Sequence, residues 1–242
     1  MDLTEKTENI KRHPWELSRS FNILKFLQTN DNNFVYADIG AGDKYFTSKL
    51  LSITDEKIFA VDNEYQKNKS VKDGIICLND SSLLENNSVD CVIMMDVLEH
   101  IKNENKFLET ILEKLKPNGK IIITVPAMQF LFSSHDIFLK HYRRYSRKQL
   151  IKILSKHAIK IEQSYYFYSS LFFLRCITFL IETFKLDKQK NVGIGMWKFD
   201  RNNFITKFIF YILNIDFFLN KLLSKISIRL PGLSVLAICR KK

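Results

Sequence analysis

Apolar residues in the first two thirds of the chain come in short runs closed by a polar or turn-forming residue. These runs alternate with segments whose apolar positions recur every three or four residues. The runs at 34–39, 57–61, 74–78, 88–95 and 120–126 predict buried strands. Between the last two, Phe107, Leu108, Ile111, Leu112 and Leu115 predict a helix over 104–116, stopped by Pro117, Asn118 and Gly119. A second helix is predicted over 146–157 with Ser146 as N-cap. Leu17, Phe21, Leu24 and Leu27 mark an amphipathic amino-terminal helix; Trp15 reads as its anchor, the alternative being that Trp15 and Arg19 cover a bound ligand. Strands alternating with helices predict a doubly wound, mostly parallel sheet.

The last third has a different texture. Residues 165–184 and 205–223 are long aromatic and aliphatic segments broken by Arg175, Glu182, Lys207 and Asp216. A membrane span needs ~20 mostly uncharged residues, so helices lying along a surface are expected instead. Flanking them, 159–165 and 231–240 read as strands. Charge follows the same division. Residues 165–242 hold 13 Lys and Arg against 4 Asp and Glu, which is +9 of the chain's total of +11. One reading of residues 167–230 is an interfacial platform, with Lys185, Lys188, Lys190, Lys198, Arg201 and Lys207 meeting anionic headgroups. The other is a helical hairpin packed on the domain or on a second copy. The platform is preferred, because so many aromatic residues are hard to bury in so small a cap. At 242 residues the chain can bury one full core. Cys77, Cys91, Cys176 and Cys239 lie in apolar runs without a C-x-x-C pair, so reduced thiols are expected rather than disulfides or zinc ligands. The polar start, residues 1–12, carries no secretory pattern, and a cytoplasmic location is expected, with peripheral contact at the inner membrane face.

The chemistry starts where the first strand ends. Asp38, Gly40 and Gly42 form a strand-to-helix turn whose backbone N–H groups can approach a ligand. Asp62, at the end of the next strand, is placed to accept both hydroxyls of a ribose. A dinucleotide site wants a third glycine where this chain has Tyr45. The pattern instead resembles class I S-adenosylmethionine-dependent methyltransferases, whose first motif is D-x-G-x-G. That resemblance implies a Rossmann-like α/β fold with a seven-stranded sheet, mostly parallel with an antiparallel last strand. It also implies a methyltransferase domain over 1–166 and 231–242, with the apolar helical insertion at 167–230 between the last two strands. S-adenosylmethionine is the implied cofactor, held by Asp38, Gly40, Ala41, Gly42, Asp62, Asn63, Asp80, Ser81 and Asp96, with Asp80 accepting from the adenine amine. Lys44 stands where such enzymes often have a further glycine, facing either the methionine carboxylate or solvent.

A narrower resemblance joins His13, Pro14, Trp15 and Glu16, with Arg19, to His135, Asp136, His141, Tyr142, Arg143, Arg144 and Tyr145 after the fifth strand. It is to a bacterial methyltransferase family carrying H-P-W-E and H-D followed by H-Y-R-R-Y. Methyl transfer from a sulfonium is an in-line displacement that asks for positioning, and a hydroxyl acceptor also needs a base. His135 or His141 fits that task, with Asp136 orienting a histidine or taking the proton. Tyr142, Arg143 and Arg144 are expected to bind the acceptor, the arginines gripping a carboxylate or phosphate. The blander alternatives are a helix cap for His135 and Asp136 and a solvated face for the arginines. Glu99 reads as a helix-start carboxylate, and no metal-ligand spacing is visible. The expected reaction is methylation of an oxygen on a small or membrane-associated acceptor, lipid-linked or glycan. A nucleic-acid methyltransferase is disfavoured, because residues 96–99 lack the D/N-P-P-Y/F seat for a base amine. A non-catalytic cofactor-binding protein is the third alternative, and the oligomeric state stays open.

Overall fold

The computed structural model describes residues 11–28, 33–66, 70–184 and 199–242. Its strands are β1 (Tyr36–Ile39), β2 (Ile58–Val61), β3 (Ser70–Lys72), β4 (Ile75–Leu78), β5 (Val89–Met95), β6 (Leu115–Pro126), β7 (Ile159–Phe167) and β8 (Ser234–Lys241). They form one sheet in the order β3-β4-β2-β1-β5-β6-β8-β7. The five strands from β4 to β6 are parallel, and β8 runs antiparallel to both of its neighbours, β6 and β7. Every residue of β1 is buried, because helices cover both faces of the sheet; that is why such strands read as unbroken apolar runs. The sheet has eight strands rather than the expected seven. The addition is β3, a three-residue edge strand antiparallel to β4, whose Val71 is 69% exposed and so leaves no apolar run to read.

The helices are α1 (Pro14–Leu27), α2 (Tyr45–Leu50), α3 (Glu104–Lys114), α4 (Ser134–Phe138), α5 (Arg147–Leu154), α6 (Ser169–Phe184) and α7 (Phe204–Lys225). On one face, Leu108, Ile111 and Leu112 of α3 and Leu150 and Leu154 of α5 pack against Val92, Ile121 and Val235. On the other, Ile23 and Leu27 of α1 and Phe46 and Leu50 of α2 share a core with Ile93, Ile122 and Leu236. Helix α3 ends two residues before the predicted stop: Leu115 already pairs with Val89. The chain then bulges and rejoins β5 at Lys120 opposite Cys91. Ser146 caps α5 as predicted, forming a capping box with Gln149.

Helices α6 and α7 lie between β7 and β8. Leu213 and Phe217 of α7 are buried in the second core, with the Phe217 ring edge-on to those of Phe167 and Tyr165. Asn214 accepts hydrogen bonds from Ser18 and Asn22 of α1. Asp216, an isolated charge in an apolar segment, accepts from the Ser169 and Ser170 N–H groups at 3.0 and 2.7 Å and so caps the start of α6. One stripe of α7 is therefore packing surface. The opposite stripe, Phe204, Phe208, Tyr211, Ile215, Phe218 and Leu222, is exposed. Phe21 of α1, expected in the core, is 40% exposed beside Phe210. Among the described residues no helix is long and apolar enough to cross a membrane. Lys185, Lys188, Lys190 and Lys198 fall outside the described residues, whereas Arg201 and Lys207 are exposed. All four cysteines are free thiols.

Candidate active site

The turn after β1 is built on two glycines in the left-handed region, Gly40 at φ +71° and Gly42 at φ +51°. A side chain at Gly40 has no room, since its Cβ would stand 2.7 Å from Val97 Cγ2. The Gly40 and Ala41 N–H groups donate to the Val61 carbonyl, and the Gly42 N–H donates to Asp62 Oδ2 at 2.8 Å. Asp62 Oδ1 accepts from the Glu64 N–H at 3.0 Å. The half-buried carboxylate of Asp62 is thus fixed at the tip of β2 with about half of its roughly four acceptor sites still open, the requirement for holding a ribose diol. Its N–H donates to the Leu78 carbonyl, which brings the tips of β2 and β4 side by side. At the β4 tip, Asp80 is exposed and caps the short turn Ser81–Leu83 through the Ser82 N–H at 2.7 Å. Ser81 is buried and Asn63 is exposed.

Asp38 lies below the turn, buried, with the Thr47 hydroxyl donating to it at 2.6 Å. Burial pushes its carboxyl up to about 7, against the lowering effect of the Thr47 hydrogen bond. Lys44 has φ +63°, a conformation that explains why a glycine suits this position. Its ammonium lies 3.9 Å from Cys77 Sγ of β4 and 5.9 Å from the Tyr65 ring centroid.

Helix α1 closes over the turn. The H-P-W-E element is a helix-start device: His13 is the N-cap, Pro14 opens the first turn, and Glu16 returns to the His13 N–H to complete a capping box. Burial pushes the His13 imidazole down to about 4. Arg12 pairs with Asp43 and stacks 3.8 Å from the Tyr45 ring centroid; Arg19 pairs with Asp96 at the end of β5 and lies over Trp15. A narrow cleft runs between α1 and the glycine turn, lined by Arg12, Glu16, Arg19, Gly40, Tyr45 and Met95 among others. Asp38, Gly40 and Ala41 of the sequence-derived cofactor set also line it, whereas Arg12, Glu16, Tyr45 and Met95 are absent from that set; apolar periodicity assigns α1 to packing and does not show that its polar edge overhangs the strand tips.

The segment after β6 folds around Asp136. This carboxylate is 0% exposed and accepts from the Ser133 N–H (2.9 Å), Arg144 Nε (2.8 Å) and His141 Nδ1 (2.9 Å). Burial opposes its charge, but the hydrogen bonds from His141 and Arg144 outweigh burial and hold its pKa below the ordinary carboxylate range. Asp136 is therefore held as an anion beside His141, the arrangement that orients a histidine. The two arginines expected to bind the acceptor both have partners within the chain. Arg144 is committed to Asp136 and the Ala127 carbonyl, and Arg143 pairs with Glu104 and reaches the Lys102 carbonyl. Tyr142 is 54% exposed, its N–H donating to the Glu99 carbonyl. His135 is half-buried in α4, and burial lowers its imidazole pKa. The insertion reaches this segment: Phe130 meets Phe172 of α6 edge-on at 6.3 Å.

The fold also assembles a group that linear spacing conceals. Glu99 and His100, after β5, meet His141 from the β6 segment. One ligand-type atom of each lies within 4.8 Å of the others, and the two imidazoles pack edge-on at 4.6 Å. Glu99 is 0% exposed with neither carboxylate oxygen hydrogen-bonded, and burial, reinforced by Asp96, raises its pKa well above the ordinary value.

A search of curated proteins yields no significant match. Among solved structures, the chain is similar to a SAM-dependent methyltransferase from Archaeoglobus fulgidus, with 17% identity, TM-score 0.53 and 94% of each chain covered. It is also similar to an S-adenosylmethionine-dependent methyltransferase from Mesorhizobium loti, with 11% identity, TM-score 0.57, and 93% of this chain and 99% of that one covered. The family model described as a methyltransferase domain matches residues 19–162, which run from Arg19 on α1 through the glycine turn and the Asp136 cluster into β7. The chain therefore belongs to the methyltransferase-domain family, with S-adenosylmethionine as its cofactor.

Proposed function

We propose that the protein methylates an oxygen of a small acceptor presented at an anionic membrane surface, a lipid-linked or glycan intermediate. The observation that carries this reading is the stripe on α7. Phe204, Phe208, Tyr211, Ile215, Phe218 and Leu222 recur at helical spacing, all exposed, opposite the face that Leu213 and Phe217 bury. Exposed Lys207, Lys225 and Arg229 accompany them. An aromatic stripe with basic residues beside it matches a helix lying at the headgroup boundary.

The residues of the chain divide the work. Asp62 holds the ribose with its open acceptor sites, and Asp80 at the neighbouring strand tip accepts from the adenine amine. Gly40 and Gly42 keep the turn low, and Arg12 and Arg19 line the end of the cleft suited to an amino-acid carboxylate. When bound, S-adenosylmethionine supplies an electrophilic methyl group on a sulfonium. His135, kept neutral at physiological pH by burial, takes the proton from the acceptor hydroxyl, while Tyr142 offers an exposed ring and hydroxyl to the acceptor. Phe172 of the cap helix α6 meets Phe130, which joins the insertion to this segment.

Cosedimentation with vesicles containing anionic lipid tests the proposal. Binding is expected at low salt, weakening as salt rises, and lost in a Phe208→Glu, Phe218→Glu double variant that leaves the buried stripe intact. Wild-type protein that stays in the supernatant at low salt refutes the membrane part.

A further inference from the structure

We infer that Glu99, His100 and His141 form a binding site for a first-row divalent cation of the zinc class, at the tip of β5 beside the cofactor cleft. Three observations converge. The ligand-type atoms come from two segments that the fold brings within 4.8 Å of one another. Glu99 supplies a fully buried carboxylate with both oxygens unpartnered. His141 has its Nδ1 taken by the anionic Asp136, so Nε2 is the nitrogen presented to the cluster; a carboxylate behind a ligating histidine is the usual way to fix its tautomer and orientation.

The local charges support an ion at this point. Arg19 pairs with Asp96 and Arg144 with Asp136, so neither of these guanidinium groups is paired with Glu99. Two imidazoles and one carboxylate select zinc, iron, cobalt or manganese over magnesium or calcium, which prefer all-oxygen sets. Tetrahedral binding with bonds of about 2.1 Å needs donor atoms about 3.4 Å apart, so a side-chain rotation of Glu99 or His100 must close the present spacing. Three protein donors leave one position open. Its use to hold an acceptor oxygen rests on the oxygen-acceptor reading above; cation binding does not.

The test is calorimetric titration of EDTA-treated, tag-free full-length protein with Zn²⁺, and in parallel with Mg²⁺. One equivalent of Zn²⁺ is expected to bind at micromolar or lower Kd, with Mg²⁺ at least 100-fold weaker. His100→Ala and His141→Ala should each weaken zinc at least 100-fold, and Asp136→Ala about 10–100-fold. His141 and Asp136 are packed together, so His100→Ala, checked by circular dichroism and thermal melting, is the decisive variant. Absence of stoichiometric zinc binding, or binding that His100→Ala leaves unchanged in a folded protein, overturns the inference. Titration of metal-free protein with S-adenosylhomocysteine reads the cofactor site separately, so failure of one assignment is distinguishable from failure of the other.

Discussion

Replacing Asp62 with alanine tests the cofactor geometry most directly. The carboxylate spends one oxygen on the Gly42 N–H at 2.8 Å and the other on the Glu64 N–H at 3.0 Å, which fixes its plane at the tip of β2. Its two remaining acceptor sites are those assigned to the ribose hydroxyls. Each hydrogen bond to a charged acceptor is worth about 1.5–3 kcal/mol, and the lower figure for two of them gives about 3 kcal/mol, or roughly 100-fold in Kd. The variant also frees the Gly42 N–H, which loosens a turn held on its other side by Tyr65. Titration calorimetry with S-adenosylhomocysteine measures the loss, and a melting curve verifies the fold. Asp80→Asn serves as the graded comparison: Asp80 is exposed and owes one acceptor to Ser82, so a smaller loss is expected, about 10-fold. A folded Asp62→Ala protein that binds within threefold of wild type refutes the placement of the nucleoside.

Other outcomes follow from single contacts. Asp136→Asn leaves the Arg144 guanidinium, 10% exposed, facing an amide, and should cost about 3–5 kcal/mol, lowering the melting temperature by roughly 10 °C. Because the folded-state pKa of Asp136 is depressed, its stabilisation is present above the ordinary carboxylate value and is lost as pH falls below it. Wild-type melting temperature should therefore drop below about pH 4, with a smaller drop in the variant. The His13 imidazole, depressed to about 4 from 6.5, contributes stability above pH 6.5 that is lost as pH falls toward 4. His13→Asn keeps a cap without the titration, so denaturant midpoints at pH 7 and 4.5 should differ less in the variant, and parallel midpoints count against the burial argument. Gly232→Ala drives a methyl group against the Phe167 backbone, with its nitrogen 2.8 Å away, and should cost about 1–3 kcal/mol in a thermal melt without altering S-adenosylhomocysteine affinity.

What could be read in the sequence follows from which interactions are local. Strand β1, most of β2, residues 91–94 of β5 and residues 121–125 of β6 are buried, so their apolar runs stand out together with the acidic residues and glycines at the strand ends. The Asp38, Gly40, Gly42 and Asp62 pattern was legible for that reason, as was the Ser146 cap, whose partner Gln149 is three residues away. Strand β3 was not, because an exposed edge needs no apolar pattern. The ion pairs of Arg143 with Glu104 and Arg144 with Asp136 were not legible, because Glu104 is remote in sequence and Asp136 reads first with the adjacent His135. The Glu99, His100 and His141 group is invisible to spacing, since only the adjacency of β5 and β6 brings its members together. Asp216 looked like a charge that merely barred a membrane span; its work is to end-cap a helix that precedes it in the chain.

The position of β8 sets the order in which the molecule can be completed. It is last in the chain yet lies between β6 and β7, so β7 has no place in the sheet until α6 and α7 have both been made. During synthesis the parallel half can assemble early, while β7 waits as an unpaired ribbon beside two greasy helices emerging from the ribosome. Closure is therefore a late, long-range event, and its delay leaves Leu213 and Phe217, the packing stripe of α7, open to lipid or chaperone before the sheet is sealed.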